Sequence, residues 1–243
     1  MESVSNIDAS QFTTGQYQKA FLFLAKAVQE TKAGWGFWTL IAKGTYQTRL
    51  ILKDDATLTE KQAASTKCFI GEQDMFLFDM NEKSLNTPLS ADERGEPVKI
   101  VISVGTKWPD RENLGACVET LIHEFAVHAS EFLPVLAALR DETINLEALQ
   151  TYLNGLLDGV TGTLTDGYQH YLLASGKSTR FTTLCKYAAK NLSDSEAQAF
   201  EKEQQKDMNK EKKNMWLYEE LVKQNRVKEP KYPGKNGPPL IDG

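Results

Sequence analysis

Two of the three histidines in this 243-residue chain lie close together, in the segment LIHEFAVHASEF. Glu124 directly follows His123, and His128 comes five residues after His123. Imidazole nitrogens are the commonest protein ligands of zinc-like cations, and a glutamate beside a metal-bound water can act as a general base. The segment is therefore a candidate metal site with the groups needed for hydrolysis.

The spacing of these histidines exceeds that of the usual zinc-peptidase string, His-Glu-x-x-His, by one residue. Residues four apart in an α-helix lie about 40° apart around its axis, whereas residues five apart lie about 140° apart. A regular helix would therefore direct His123 and His128 away from a shared ion. The motif requires a helix that is locally overwound or bulged around residues 125–127, as in a π-bulge.

The string HEFAVH resembles the His-Glu-x-x-x-His motif of dipeptidyl peptidase III, in which the helix absorbs the inserted residue and zinc still binds. The family's second motif, Glu-Glu-x-x-Ala-Glu, is not found in this much shorter chain. A longer stretch, TLIHEFAVHASEF followed by TDGYQHYLLASGKSTRF, is similar to zincin-type domains of bacterial polymorphic toxins and of contact-dependent or type VI secretion effectors. That resemblance implies a secreted metallopeptidase that acts on proteins, with a secretion apparatus or an immunity protein as a further partner.

The third histidine, His170, lies in DGYQH, within a predicted helix over 165–175. A three-histidine zinc site leaves a fourth position open for water, so His170 is the first candidate for the third ligand. Asp166 shares its helix face and is the second candidate, as a ligand or as an acceptor for an imidazole N–H. Tyr168 and Tyr171 flank His170 and are candidate oxyanion donors, although core packing also accounts for them.

The chemistry predicted for this set is hydrolysis of a peptide bond with Zn²⁺ as cofactor. Zinc held by His123, His128 and His170 would lower the pKa of its bound water toward 7 and polarise the scissile carbonyl. Glu124 would take the proton of that water and deliver it to the leaving amine.

Two other interpretations remain open. In a regular helix Glu119 and His123, and likewise Glu124 and His128, are four residues apart and can pair with each other. Such pairs suit a non-heme iron or manganese site in a helical bundle, but the Glu-x-x-His motifs that such a site needs are absent from the sequence. They equally suit a non-catalytic effector, adaptor or immunity-like binding protein with structural histidines.

Composition is that of a globular protein with a substantial core, with 41% hydrophobic and 25% charged residues. The net charge of −5 and the scattered basic residues argue against a nucleic-acid partner. The first residues lack the features of a signal peptide, and no apolar run approaches the roughly 18 residues of a membrane span. We expect synthesis in the cytoplasm, with export by a route without a cleaved signal left open, and three buried, reduced cysteines.

The elements around the motif predict an α+β fold, with a helix over about 14–31 and a small, mostly antiparallel sheet before a helical half. The predicted strands lie in five segments: 35–44, 45–54, 67–73, 74–80 and 98–105. AKGT and GEQD are predicted hairpin turns, and a surface loop follows over 81–97. We further predict that the strand VKIVISV binds an extended substrate by β-addition.

Helices are predicted for the rest of the chain. Asp110 is the expected N-cap of the active-site helix, which weakens near Pro134. Further helices are expected over 136–157, 165–175, 179–191 and 194–225, the last opened by the capping signal SDSE and otherwise solvated. We expect a single zincin-like domain over 1–228, with an α+β part over 1–108, a helical part over 109–228 and an irregular tail over 229–243.

Overall fold

A computed structural model of the chain describes residues 6–42, 44, 47–74, 95–130, 132, 136, 139–145, 147–148 and 170–223. Its helices and strands in chain order are β1 (Ile7–Asp8), α1 (Gln16–Thr31), α2 (Trp35–Ala42), β2 (Thr48–Asp55), β3 (Ala64–Ile70), β4 (Gln73–Asp74), β5 (Val98–Gly105), α3 (Leu114–His123), a π-helix (Glu124–Ala129), α4 (Thr179–Asn191) and α5 (Asp194–Lys223). Residues 170–174 are also helical. The predicted α+β class is confirmed, with a small sheet followed by a helical C-terminal half.

The sheet is mixed rather than mostly antiparallel. Its strand order is β1-β2-β5-β3-β4. β1, β2 and β5 run parallel to one another, and β3 is antiparallel to β5 and to β4. After β2 the chain forms β3 and β4 and then crosses back to β2. β5 therefore lies beside β2 and runs in the same direction. The strand VKIVISV is central and paired along both edges, so the prediction that it adds a substrate strand is wrong.

The segment WGFWTLIAKG, predicted as a strand, forms helix α2. Its aromatic and β-branched residues resemble those of a strand, but Phe37, Trp38 and Ile41 lie at helical spacing and are buried together in the core. The hairpin turn predicted at AKGT is wrong, because Ala42 ends a helix and not a strand; Lys43 and Thr45 lie outside the described residues. GEQD does turn the predicted hairpin, because Ile70 pairs with Gln73 across it.

The other described helices agree closely with the predicted boundaries of α1, α4 and α5. Glu196 accepts hydrogen bonds from the backbone N–H and the hydroxyl of Ser193, as the capping signal predicts. Asp110 is not the cap of α3, because Asn113 Oδ1 accepts a hydrogen bond from the N–H of Ala116 at 3.3 Å. The prediction of one helix over 136–157 is wrong, because residues 141–145 are not helical and separate the helical residues 139–140 from 147–148. Residues 149–157, most of the strand predicted over 74–80 and of the loop over 81–97, and the whole tail over 229–243 lie outside the described residues.

Helix α3 lies at the centre of the packing. It contacts α1 and α5, and the π-helix that continues it lies against β3 and β5. Every residue of α3 from Gly115 to His123 is buried, so the segment that carries the histidine motif is held on all sides. All three cysteines are buried and free, as predicted. None of the helices in the described ranges combines the length and apolar character needed to cross a membrane.

Helices α3 and α5 are in close backbone contact at Gly115. A Cβ atom at this position would lie 1.9 Å from the carbonyl oxygen of Glu196 and 2.8 Å from the backbone nitrogen of Phe200. Both of these atoms belong to the backbone, so no side-chain rotation could make room. Glycine at this position therefore determines how closely α5 lies beside α3.

Replacing Gly115 with alanine is expected to lower the free energy of unfolding, measured by urea denaturation, by about 3 kcal/mol, the upper end of the usual cost of overpacking. The loss should appear although alanine favours helix by about 1 kcal/mol over glycine. Gly176→Ala is the matched control, because a Cβ there meets no atom within 4 Å and only the positive φ of 70° is strained. Equal losses in the two variants would contradict the close helix contact.

Candidate metal centre

The helix changes form at the histidine motif. The α-helix ends at His123, and residues Glu124–Ala129 form a π-helix. Hydrogen bonds of the i→i+5 type widen the turn, so residue i+5 lies over residue i, and His128 comes onto the face of His123. The predicted bulge is confirmed. The helix is underwound here rather than overwound, because a π-turn contains more residues than an α-turn.

Core packing and a side-chain cap hold the wide turn in place. Phe125 packs against Phe37 and Trp38, with ring centroids 5.5 and 5.8 Å away. At the far end of the turn, the Ser130 hydroxyl donates to the carbonyl oxygen of Ala126 at 2.7 Å and also lies 3.0 Å from that of Val127. These carbonyls belong to the widened turn, so the serine supplies a donor that compensates for the altered backbone pattern.

The three histidines converge. The Nε2 atoms of His123 and His128 are 3.2 Å apart, and one ring nitrogen from each of His123, His128 and His170 lies within 4.8 Å of the other two. Ring centroids are separated by 5.0 Å for the first pair, 5.9 Å for His123 and His170, and 4.9 Å for His128 and His170. Two nitrogens at 2.0–2.1 Å from a tetrahedral zinc are about 3.3 Å apart, so the closest pair already has ligand spacing.

Asp207, from helix α5, contacts the far side of the His123 ring. Its Oδ2 lies 2.7 Å from Nδ1 of His123. Burial raises the pKa of Asp207, but the contact with His123, together with the charges of His123, Lys210 and His170, outweighs burial and leaves the pKa below its usual value. A carboxylate at Nδ1 favours the tautomer with its proton there, which leaves the Nε2 lone pair directed at His128 and available to a metal.

Glu124 is buried beside the histidines, with 6% of its surface exposed. Its Oε2 accepts a hydrogen bond from the hydroxyl of Thr66, on strand β3. Glu124, the three histidines and Asp207 all line one cleft of about 520 Å³. We call it the histidine cleft; it is also lined by residues 61–64, the last of which begins β3, and by Glu203, Lys206 and Lys210 of α5. A base and a possible metal position therefore face the same solvent space.

A second group of possible ligands overlaps the first. Glu119, His123 and Asp207 also bring donor atoms within 4.8 Å of one another. Glu119 is 3% exposed, and burial raises its pKa well above the usual range, with the charges of Asp207, Glu203 and Glu124 raising it further. A cation would have to displace the proton of this carboxyl before Glu119 could act as a ligand. The three histidines are therefore the better donor set.

The other predicted site residues are not all placed by the structure. Asp166 and Tyr168 lie outside the described residues. Tyr171 is described, but its ring lies 5.5 Å from the Lys177 ammonium and it does not line the histidine cleft. The structure therefore brings together His123, His128, His170 and Glu124, and no tyrosine of the described ranges lines the cleft with them.

Asp207 is the functional candidate that the sequence analysis missed, because α5 was predicted to be solvated. The helix instead buries a stripe on which Phe200 is 1% and Glu211 is 2% exposed. Phe200, Gln204, Asp207 and Glu211 follow one another at intervals of four, three and four residues, which is one face of a helix. The apolar Phe200, on one face of the charged first half of the helix, was the available signal.

Comparison of the chain with protein-family models, with curated protein sequences and with solved structures found no match. The functional interpretation therefore depends on the described geometry: three converging imidazoles, a carboxylate behind one of them and a buried glutamate beside them.

Replacing Asp207 with asparagine should weaken zinc binding about 10–100-fold, because His123 loses the anionic carboxylate that holds its ring and favours the tautomer with the proton on Nδ1. Competition with a chromophoric chelator measures the affinity. Glu201→Gln is the matched control, since this glutamate lies on the same helix and does not line the histidine cleft. If the two variants bind zinc equally well, Asp207 does not support a metal ligand.

Replacing Glu119 with glutamine should change how stability depends on pH in metal-free protein. The native pKa of Glu119 is raised above the ordinary value of 4.5, so the native chain keeps a proton that the unfolded chain releases. The wild type should therefore lose stability as pH rises from 4.5 toward the native pKa, by up to about 1.4 kcal/mol per pH unit.

Glutamine cannot ionise, so the variant should lack this loss, and its advantage in free energy of unfolding should grow with pH. Urea denaturation at several pH values, with a chelator present, measures the difference. Parallel stability profiles would show that the buried carboxyl does not have a raised pKa.

Proposed function

We propose that this chain is a zinc-dependent hydrolase of peptide bonds. His123, His128 and His170 hold the zinc, and Glu124 is the general base. The convergence of the only three histidines in the sequence on one cleft carries this proposal. They come from two separate parts of the chain, and the first two require an uncommon backbone form to meet.

The donor chemistry supports zinc. Three neutral imidazoles suit zinc, copper, iron and nickel, whereas hard cations such as magnesium prefer oxygen ligands. A three-histidine set also leaves a coordination position for water, which is the arrangement of catalytic rather than structural zinc. The carboxylate of Asp207 at the back of His123 matches the outer support that such ligands usually have.

The surrounding groups supply what hydrolysis needs. A bound zinc would polarise a carbonyl and lower the pKa of a water molecule. Glu124 is adjacent in sequence to one ligand and lines the same cleft, so its carboxylate can accept a proton there and return it to a leaving amine. We propose the peptide bond as the substrate because HEFAVH resembles a zinc-peptidase motif. The resemblance to exported effector domains extends the proposal: this chain would be such an effector.

The geometry favours this function over a binding protein with structural histidines. Histidines that pair with carboxylates on different sides of a regular helix would not bring their nitrogens together. Here the Nε2 atom of His128 lies 3.2 Å from Nε2 of His123, on the opposite side of the ring from Asp207, and a ring nitrogen of His170 lies within 4.8 Å of a ring nitrogen of each. A cation is the natural partner for such a cluster.

Replacing Glu124 with glutamine should leave zinc bound and reduce cleavage at least about 100-fold, the lower end of the usual contribution of a general base. The wild type reconstituted with zinc should contain about one ion per chain, since it has one three-histidine set. Metal analysis measures zinc, and cleavage of fluorescently labelled casein and of a quenched peptide library measures activity.

Glu112→Gln serves as the control, because this exposed glutamate precedes α3 and does not line the histidine cleft. It should match the wild type in both assays. A wild type that takes up no divalent metal after reconstitution would refute the metal site. Unchanged cleavage by Glu124→Gln would refute the assigned base.

A further inference from the structure

The contact between Thr66 and Glu124 joins two distant parts of the chain. Thr66 lies in the middle of β3, and Glu124 opens the π-helix 58 residues later. The threonine hydroxyl donates to Oε2 of the glutamate. This is a direct side-chain link between the sheet and the proposed base.

The threonine is itself held in a fixed position. β3 is paired with β5 along its whole length, and Thr66 lies opposite Ile102, which is 1% exposed. A β-branched side chain on a paired strand has few accessible rotamers. Glutamate, in contrast, has three side-chain torsions and an almost freely rotating carboxylate. The strand is thus a rigid support, and the glutamate is the group that needs one.

The hydrogen bond divides the two carboxylate oxygens between different tasks. Oε2 is engaged by the hydroxyl of Thr66, so Oε1 is left to accept a proton from a group in the histidine cleft. Rotating the carboxylate plane by about 90° would break the bond to Thr66, whereas a rotation of about 180° only exchanges two equivalent oxygens. The contact therefore restrains both the orientation of the carboxylate plane and the position of the carboxylate group.

We propose that Thr66 is a positioning residue, which holds the Glu124 carboxylate so that one oxygen faces a metal-bound water or ligand. This inference rests on the proposed zinc hydrolase function. It adds that the sheet, and not the histidine helix alone, sets the geometry of the base.

Acetohydroxamic acid provides a test that does not require the natural substrate. On binding to a metal it forms a metal–oxygen bond and gives its hydroxyl proton to the nearest base, here Oε1 of Glu124. Cobalt(II) replaces zinc in the full-length protein, and its visible absorption spectrum reports both metal uptake and hydroxamate binding.

Thr66→Val should bind acetohydroxamate roughly tenfold more weakly than the wild type, the fold-change that corresponds to losing one hydrogen bond to a charged group. Thr66→Ser keeps the hydroxyl and should remain within about threefold of the wild type. Cobalt affinity and thermal stability should change little in either variant. Glu124→Gln should lose at least as much hydroxamate affinity as Thr66→Val.

Thr48→Val is the matched control. Thr48 lies on β2 of the same sheet and is fully buried, its hydroxyl has no hydrogen-bond partner among the described residues, and it does not line the histidine cleft. The substitution should leave hydroxamate binding unchanged.

The possible failures are distinguishable. Absence of cobalt binding by the wild type would refute the metal site and, with it, the role of Thr66. If cobalt and hydroxamate bind and Glu124→Gln weakens the hydroxamate but Thr66→Val does not, the function stands and the positioning role is wrong. Equal weakening by Thr66→Val and Thr66→Ser would likewise reduce Thr66 to a packing residue.

Discussion

The five-residue interval between His123 and His128 imposes the constraint on which the site depends. An α-helix cannot bring these side chains to one point, so the backbone must either separate them or widen. The widened turn is stable because its other side chains are anchored: Phe125 lies in an aromatic cluster, and Ser130 caps the carbonyls beneath it. Core packing thus offsets the free-energy cost of the widened turn. The histidines are the side chains of the motif that remain on the face toward the cleft.

Elements on two sides of this helix complete the site. From one side, α5 approaches so closely that only glycine fits at position 115, and this approach brings Asp207 to the back of His123. From the other side, β3 places Thr66 against Glu124. Both contacts come from regular, paired or packed elements rather than from loops. A site supported in this way retains its geometry with less dependence on the bound ligand.

The acidic groups around the helix have different electrostatic roles. Glu119 lies deeper and is surrounded by like charges, so its neutral form is favoured. Asp207 contacts an imidazole, and its charged form is favoured. Such separation of carboxyl pKa values within one cleft is common where proton transfer or metal binding takes place.

The sequence alone determined the α+β class, the boundaries of α1, α4 and α5, and the need for a bulge, because these follow from local periodicity, capping and the angular spacing of residues along a helix. Tertiary structure decided the rest. Parallel pairing of β2 with β5 and the helical form of WGFWTLIAKG depend on packing partners far away in the chain. Asp207 and Thr66 likewise lie 84 and 58 residues away in sequence from the side chains that they contact. Local sequence patterns cannot predict contacts between residues so far apart in the chain.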